Sequence, residues 1–347
     1  MKQTRTQDIS IKTQTGSAPA NGDAAVPVRP GRAFGGGLLP KAGVLALLLG
    51  FPLGASLLTA GEKPHQPQYR FTEIMLPGPG EAFGINDSGL VTGAYTDPVT
   101  GDWVSFVSER GKLTTGISGP DEATYTFLGP ANNRGVESGN YGSLTEQQAV
   151  LYDIRRGTFT PLPAIPGMPI NFANGINDAG HVVGLAFAPG FTALDVGVYD
   201  LGMNWFWDGR HYSFITVPGA DGGAWVGGIN NRDQVSGYYA DSSGYWHGFV
   251  KDGPHFTTFD VPGADYTLVS GINNDGVVTG GYAGADGVPH GYIWFAGQAV
   301  TVDVSIGGAI VTEWLGLNDH GDLAGEYFDT DFVNHAVIAE RVDGDGD

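Results

Sequence analysis

The chain contains no cysteine among its 347 residues. This absence excludes a disulfide scaffold, a catalytic thiol and cysteine-ligated zinc or iron–sulfur sites. Basic residues are scarce as well, because 17 Lys and Arg stand against 37 Asp and Glu, and only 16% of residues are charged. What the chain does contain is 57 Gly, 14 Tyr and 7 Trp. This composition is typical of a turn-rich, aromatic-rich, all-β protein.

The N-terminus has the organisation of an export segment. Residues 1–41 form a polar leader with six basic and two acidic residues, and an uncharged run, AGVLALLLGFPLGASLLTA, follows at 42–60. A basic leader, an apolar core and a small residue such as Ala55 or Ala60 at the cut are the parts of a secretory signal. An uncleaved anchor is the alternative, since about 19 apolar residues nearly span a bilayer. Both interpretations place the rest of the chain across the membrane.

The net charge limits the partners. Taking the six basic and two acidic leader residues from the 17 and 37 of the whole chain leaves 11 basic and 35 acidic residues, a formal charge of −24. Polyanions bind poorly to such a surface. We therefore predict an exported monomer, extracellular or periplasmic, with no nucleic-acid partner. Membrane contact is expected only through residues 42–60, if they are retained.

A phrase of the form Gly-Ile-Asn-Asn/Asp-x-Gly recurs six times at a spacing of about 45 residues, and we number the repeats 1 to 6 in chain order. The asparagine can cap its own turn, and the glycine after it supplies a positive φ; Asp233 replaces that glycine in repeat 4 and can adopt the same conformation. We interpret the repeated residues as turn formers. The aligned asparagines and the glycines seven residues later are Asn86, Asn132, Asn177, Asn230, Asn273 and Asn318, with Gly93, Gly139, Gly184, Gly237, Gly280 and Gly325.

Each repeat contains four short strand-forming runs, which we call a to d; in repeat 5 they are 266–273, 277–282, 290–295 and 299–304. Four antiparallel strands predict a β-propeller blade, because a coil of a parallel β-helix is shorter and has no hairpins. An unassigned run at 69–76 precedes repeat 1, and repeat 6 stops after its c strand. We therefore expect a six-bladed propeller in which this N-terminal d strand completes the last blade. The predicted organisation is leader 1–41, signal core or anchor 42–60, linker 61–68, propeller 69–341 and acidic tail 342–347.

The sequence Gly228 to Ala264, which includes YYADSSGYWHGFVKDGPHFTTFDVPGA, resembles the HAF-type extracellular repeat family of bacteria. The resemblance extends over about Phe71 to Glu340, and it implies export and a propeller but no defined activity. The family's histidine is present as His247, His290 and His335, whereas repeats 1 to 3 have Val104, Gln148 and Met203. This departure indicates that the histidine has a structural role, holding the blade by hydrogen bonds.

The strand order sorts the charges. The d–a and b–c loops emerge at one end of the predicted ring and carry acidic residues but no Lys or Arg, whereas ten of the eleven basic residues lie near the other end. An acidic face with aromatic residues suits a cation, for which calcium is one candidate, a basic peptide or a carbohydrate. Alternatively, the acids only keep an exported protein soluble. The candidate ligand-binding residues are Glu81, Glu122, Asp221, Asp265, Glu313, Trp225 and Trp314.

No catalytic set can be assigned. The chain has no His-Glu-x-x-His, no Gly-x-Ser-x-Gly and no phosphate-binding loop of the Walker type. We therefore expect a non-catalytic binding or cell-surface module. Two alternatives are a carbohydrate-active hydrolase or lyase that uses carboxylates on the acidic face, and a purely structural envelope protein.

Overall fold

A computed structural model describes residues 67–120, 123–143, 145–190 and 202–342. The predicted leader, the segment 42–60, most of the linker and nearly all of the acidic tail lie outside these ranges. The described residues contain no helix long and apolar enough to cross a membrane, and the regular structure consists of strands. In chain order these are β1 (Gln68–Glu73), β2 (Gly80–Ile85), β3 (Leu90–Thr96), β4 (Trp103–Glu109), β5 (Lys112–Ile117), β6 (Tyr125–Ala131), β7 (Val136–Gly142), β8 (Gln147–Asp153), β9 (Thr158–Pro161), β10 (Ile170–Ile176), β11 (Val182–Phe187), β12 (Gly202–Trp207), β13 (Tyr212–Ile215), β14 (Ala224–Ile229), β15 (Val235–Ala240), β16 (Trp246–Asp252), β17 (His255–Phe259), β18 (Tyr266–Thr267), β19 (Gly271–Ile272), β20 (Val278–Ala283), β21 (Pro289–Phe295), β22 (Gln298–Thr301), β23 (Val311–Leu317), β24 (Leu323–Phe328) and β25 (Asn334–Val342).

The strands form antiparallel meanders, and the predicted all-β, propeller-like fold is confirmed. The six predicted blades do not appear as six sheets, because hydrogen bonding joins the described strands into five sheets. Strands β6 to β13 make one eight-stranded sheet, in which a single parallel pair, Ile170 with Gln147, links two meanders. Repeat 5 has a fifth strand, since its a strand is divided into β18 and β19, which both pair with β20.

The N-terminal strand closes the last sheet. β1 pairs antiparallel with β25, from Gln68 opposite Val342 to Glu73 opposite Val337, and the sheet order is β1-β25-β24-β23. The first described strand therefore supplies the d strand that repeat 6 lacks. A salt bridge of 2.6 Å between Arg70 and Glu340 crosses this pair, but both side chains are exposed, so it adds little stability.

The second glycine of the repeat does not form a turn, so our interpretation of it was wrong. At all six positions a Cβ atom would collide with a backbone carbonyl oxygen of the neighbouring a strand; at Gly184 this is the oxygen of Phe172. A β-bulge in the a strand, at Ala173/Gly175 in repeat 3, lies beside this close approach. Only glycine allows it. The six positions are Gly93, Gly139, Gly184, Gly237, Gly280 and Gly325.

The hydrophobic core consists of several clusters, and some of them join neighbouring repeats. One cluster contains Val91 of repeat 1 together with Ala324 and Ala336 of repeat 6. The largest fully buried side chains include Trp205 and Trp314. Truncation of such a side chain to alanine costs about 3–5 kcal/mol.

Candidate functional site

The repeated asparagines lie where each a strand ends. The Oδ1 atom of Asn86 accepts hydrogen bonds from the backbone N–H groups of Ser88 (3.0 Å) and Leu90 (3.1 Å), as expected of a turn former. The turn residue that follows has positive φ in every repeat, including Asp233 at 58°. The predicted local role of the asparagine is therefore confirmed.

The same side chains also connect the repeats to one another. Each Nδ2 donates to the backbone carbonyl oxygen of the equivalent asparagine in the next repeat, at 2.9–3.2 Å. The last bond, from Asn318 to Asn86, closes the circle. All six asparagines are buried. The asparagine ring, as we call this circle, consists of Asn86, Asn132, Asn177, Asn230, Asn273 and Asn318.

A second circle lies beside the first. The residue after each ring asparagine donates its backbone N–H to the Oδ1 atom of its counterpart in the next repeat, at 2.7–2.9 Å. Three members of this circle are aspartates, namely Asp87, Asp178 and Asp319. Each of their carboxylates accepts a further bond from an asparagine amide of the circle, as Asp87 does from Asn133. The two circles line a cavity of about 80 Å³ whose polar groups largely satisfy one another. The members are Asp87, Asn133, Asp178, Asn231, Asn274 and Asp319.

Three glutamates lie together at the opposite end of the a strands. Glu81 and Glu313 stand five residues before their ring asparagines, and Glu326 is the cross-strand partner of Glu313. Repeats 6 and 1 are neighbours in the circle, so the three side chains converge. Among the described residues, none of the three forms a salt bridge with Lys or Arg. We call Glu81, Glu313 and Glu326 the carboxyl cluster.

The environment of the cluster opposes ionisation. Burial, and then the charges of Glu326 and Glu313, raise the pKa of Glu81 from 4.5 to about 8. Burial and the charge of Glu326 raise the pKa of Glu313 to about 7, and burial raises the pKa of Glu326 as well. Like charges in a partly desolvated site disfavour each other's ionised form. The cluster therefore carries protons near neutral pH that a bound cation would displace.

Polar and aromatic groups surround the cluster. Asn334 donates its Nδ2 to Oε2 of Glu326 at 3.0 Å. Burial and the charge of Glu81 raise the pKa of Tyr125, and burial and Glu313 raise that of Tyr266. These two tyrosines therefore lie close enough to the cluster to feel its charge.

The remaining repeats place apolar side chains at the level of the cluster. The indole of Trp225 is half-buried, lies over Gly227 and stacks on Tyr238 with ring centroids 5.2 Å apart. We call the end of the a strands that carries the carboxyl cluster the mouth. The mouth thus has a carboxyl side and a mainly aromatic side. Five residues before the ring asparagine, repeats 1 to 6 have Glu81, Phe127, Phe172, Trp225, Leu268 and Glu313.

The predicted site residues separate into groups. Glu81 and Glu313 meet in the cluster, and Trp225 lies on the aromatic side of the mouth. Trp314 was misplaced by the prediction, because its side chain is fully buried and its Nε1 donates to the carbonyl of Val302 at 2.7 Å. Asp221 and Asp265 are exposed in their loops, outside the cluster. Glu122 lies outside the described residues.

Sequence reasoning missed Glu326. A signal was present, because this strand position is uncharged in the other repeats, where it is Ala94, Asn140, Leu185, Tyr238 and Gly281. Finding it required the hairpin register that places Glu326 opposite Glu313.

The repeated histidines are held between two acids. Nδ1 of His290 lies 2.8 Å from Asp303 and its Nε2 lies 3.2 Å from Asp286, and the imidazole packs near Tyr282. Burial opposes protonation of His290, but the hydrogen bonds to Asp303 and Asp286 outweigh it and raise its pKa. His247 and His335 are held in the same way. These contacts fit the structural role expected for the motif.

In the part of the chain that the structure describes, no group of three or more His, Asp or Glu residues is arranged to hold a metal ion. Ionised carboxyl groups attract a cation by charge and accept hydrogen bonds from it. An ammonium or guanidinium group would favour their ionised form, and the aromatic side of the mouth would contact its carbon atoms.

No protein-family model matches the sequence, and no curated protein matches it. The fold is similar to solved β-propellers. AofleA from Arthrobotrys oligospora is 12% identical, with a TM-score of 0.47, over 80% of this chain and 90% of that chain. The fucose-specific lectin from Aleuria aurantia is 9% identical, with a TM-score of 0.46, over 80% and 99%. The β-propeller domain of the Trilobed protease from Pyrococcus furiosus is 8% identical, with a TM-score of 0.44, over 79% and 95%. Likeness at this level carries no information about ligands.

Proposed function

We propose that this chain is an exported, non-catalytic binding protein of the HAF-repeat type, with six blades, whose ligand is a cationic group held at the carboxyl cluster. Counting the eight-stranded sheet as two blades gives six, one for each member of the asparagine ring. Export is supported by the basic leader and the apolar segment 42–60.

The observation that carries the proposal is the cluster of Glu81, Glu313 and Glu326. The three carboxyl groups are buried or half-buried, and none has a cationic partner among the described residues. Burial raises the pKa of all three, and neighbouring carboxylates further raise the pKa of Glu81 and Glu313. Keeping them together costs folding free energy, which a bound cation would offset. Asp221 and Asp265, the other described candidate acids of this face, are exposed and contribute only diffuse attraction.

The test is titration of the protein with spermidine by calorimetry between pH 6 and pH 9. Because the ionised carboxyl groups bind the cation and the pKa values of Glu81 and Glu313 are about 8 and about 7, affinity should rise with pH over this range. Binding near pH 7 should release protons, seen as an enthalpy that changes with the buffer's ionisation heat.

Glu313→Gln and Asp221→Asn form a matched pair, since each removes one carboxylate from the same face. The Glu313 variant should weaken binding about tenfold or more, whereas the exposed Asp221 variant should change it less than twofold. Equal effects of the two substitutions, or affinity that does not depend on pH, would contradict a specific site at the cluster.

A further inference from the structure

A cavity of about 250 Å³ lies beside the carboxyl cluster, between the loop that follows β1 and the beginning of β25. Most of its wall is apolar. Val333 is exposed and Pro79 faces solvent, so the cavity opens at the surface of the acidic end. It is lined by Glu73, Ile74, Leu76, Gly78, Pro79, Val333, Asn334, His335 and Ala336.

The d–a loop beside the cavity differs from three of the other d–a loops at one position. In three other d–a loops a threonine hydroxyl six residues before the ring asparagine accepts a backbone N–H of the loop, as Thr267 does from Val261 at 2.9 Å. Repeat 1 has Gly80 at that position, and a Cβ there would lie 2.6 Å from Cδ1 of Leu76. Leu76 therefore takes the place of the threonine side chain, and the loop lacks this tie.

One residue connects the cavity to the carboxyl cluster. Asn334 lines the cavity and donates to Glu326 at 3.0 Å. The polar groups of Glu73 and His335 are already engaged, because Glu73 accepts from Tyr327 at 3.0 Å and interacts with His335 at 3.1 Å. What the cavity offers a ligand is thus mainly apolar surface, next to unneutralised carboxyl groups.

We infer that the ligand is a basic peptide that places an apolar side chain in this cavity and a neighbouring lysine or arginine at the carboxyl cluster. Pockets for whole small ligands usually measure about 300–1,000 Å³, so this cavity suits one side chain of a longer ligand. Charge complementarity with the acidic face selects a cationic peptide. This inference rests on the proposed function.

The experiment compares two capped peptides, Gly-Gly-Lys-Leu-Lys-Gly-Gly and Gly-Gly-Lys-Ala-Lys-Gly-Gly, by calorimetry at pH 8, where the cluster is more ionised. Burying the leucine side chain should make the first peptide bind about tenfold more tightly to the wild-type protein. Val333→Trp, which blocks the cavity entrance, should bring the ratio of the two affinities close to one. Val99→Trp is the control, since it adds an indole to the exposed loop of repeat 1 on the same face and should leave the ratio unchanged.

The outcomes separate the two levels of the proposal. Glu313→Gln should weaken both peptides equally and preserve their ratio. Equal binding of both peptides to the wild-type protein would overturn the role of the cavity and leave the cationic site standing. Absence of binding by either peptide and by spermidine would overturn both. Unchanged melting temperatures of the tryptophan variants verify that they are folded.

Discussion

Replacing Glu137 with valine should stabilise the protein, because Glu137 occupies a core position without a hydrogen-bond partner. It is 0% exposed on β7, and neither carboxyl oxygen has a partner. Burial raises its pKa well above the ordinary value. The other five repeats have an aliphatic residue at this position, five residues after the ring asparagine, namely Val91, Val182, Val235, Val278 and Leu323.

The surroundings of Glu137 follow from the equivalence of the repeats. Val91 belongs to one cluster with Ala324 and Ala336 of the preceding repeat. The residues of repeat 1 equivalent to these alanines are Thr92 and Ser105, and both hydroxyl oxygens are buried without a partner. The interface between repeats 1 and 2 thus contains the polar side chains of Glu137, Thr92 and Ser105. The equivalent interface between repeats 6 and 1 is apolar.

The expected gain combines two contributions. Removing an unsatisfied buried polar group is worth about 1–3 kcal/mol, and burying a valine side chain about 1.5–3 kcal/mol. We expect Glu137→Val to raise the free energy of unfolding by about 3 kcal/mol at pH 7. At roughly 2 °C per kcal/mol for a domain of this size, the melting temperature should rise by about 6 °C.

The dependence on pH identifies the cause. In the wild-type protein the unfolded chain ionises Glu137 above pH 4.5 whereas the folded state keeps the proton, so stability is lost as pH rises above that value. The gain from Glu137→Val should therefore be larger at pH 8 than at pH 5, by up to about 1.4 kcal/mol per pH unit. Thermal unfolding at several pH values measures it. Glu137→Gln should remove the same pH dependence without the full gain; a valine variant that melts below the wild type at pH 8 would refute the argument.

Three further predictions concern stability. In the whole protein, the raised pKa values of Glu81 and Glu313 mean that the free energy of unfolding should fall as pH rises from about 4.5 to about 8. Urea titrations across this range measure that free energy. A variant with both Glu81→Gln and Glu313→Gln should show a shallower dependence of the unfolding free energy on pH. Asn132→Asp keeps the acceptor of the turn but removes the donor to Asn177, so it should cost about 1–3 kcal/mol in the same assay. An unchanged value would mean that the asparagine ring adds no stability. Gly184→Ala places a methyl group against the carbonyl of Phe172 and should cost about 1–3 kcal/mol, whereas Gly129→Ala, whose Cβ would have contacts of 3.4 Å or more, should cost much less.

The repeat allowed the strand order and the pairing of β1 with β25 to be predicted, because turn residues and strand-forming runs are local signals. The same order placed Glu81 and Glu313 at one end of the a strands. It could not show which face of a strand a side chain occupies, so Trp314 was assigned to the site although it packs in the core.

Contacts between repeats could not be predicted from the sequence, for a related reason. The amide of Asn86 reaches a carbonyl 46 residues away, and no local pattern encodes that partner. The bulge that requires Gly184 is likewise invisible until two strands are paired. Asp221 and Asp265 have the same charge as Glu81 and Glu313 and also stand near the start of an a strand. They are exposed because they lie in the loops before the strands begin, whereas Glu81 and Glu313 lie within β2 and β23.

The asparagine ring also bears on how such a chain can evolve. Each asparagine bonds to a backbone oxygen of its neighbour, a group that every residue possesses. The second circle requires only a side-chain Oδ1 in the next copy, which both Asn and Asp supply. A gene segment that encodes one repeat could therefore be duplicated and inserted beside any other without a matching change at the axis. Divergence would then accumulate away from the ring, where the polar trio around Glu137 and the glycine at position 80 distinguish individual repeats.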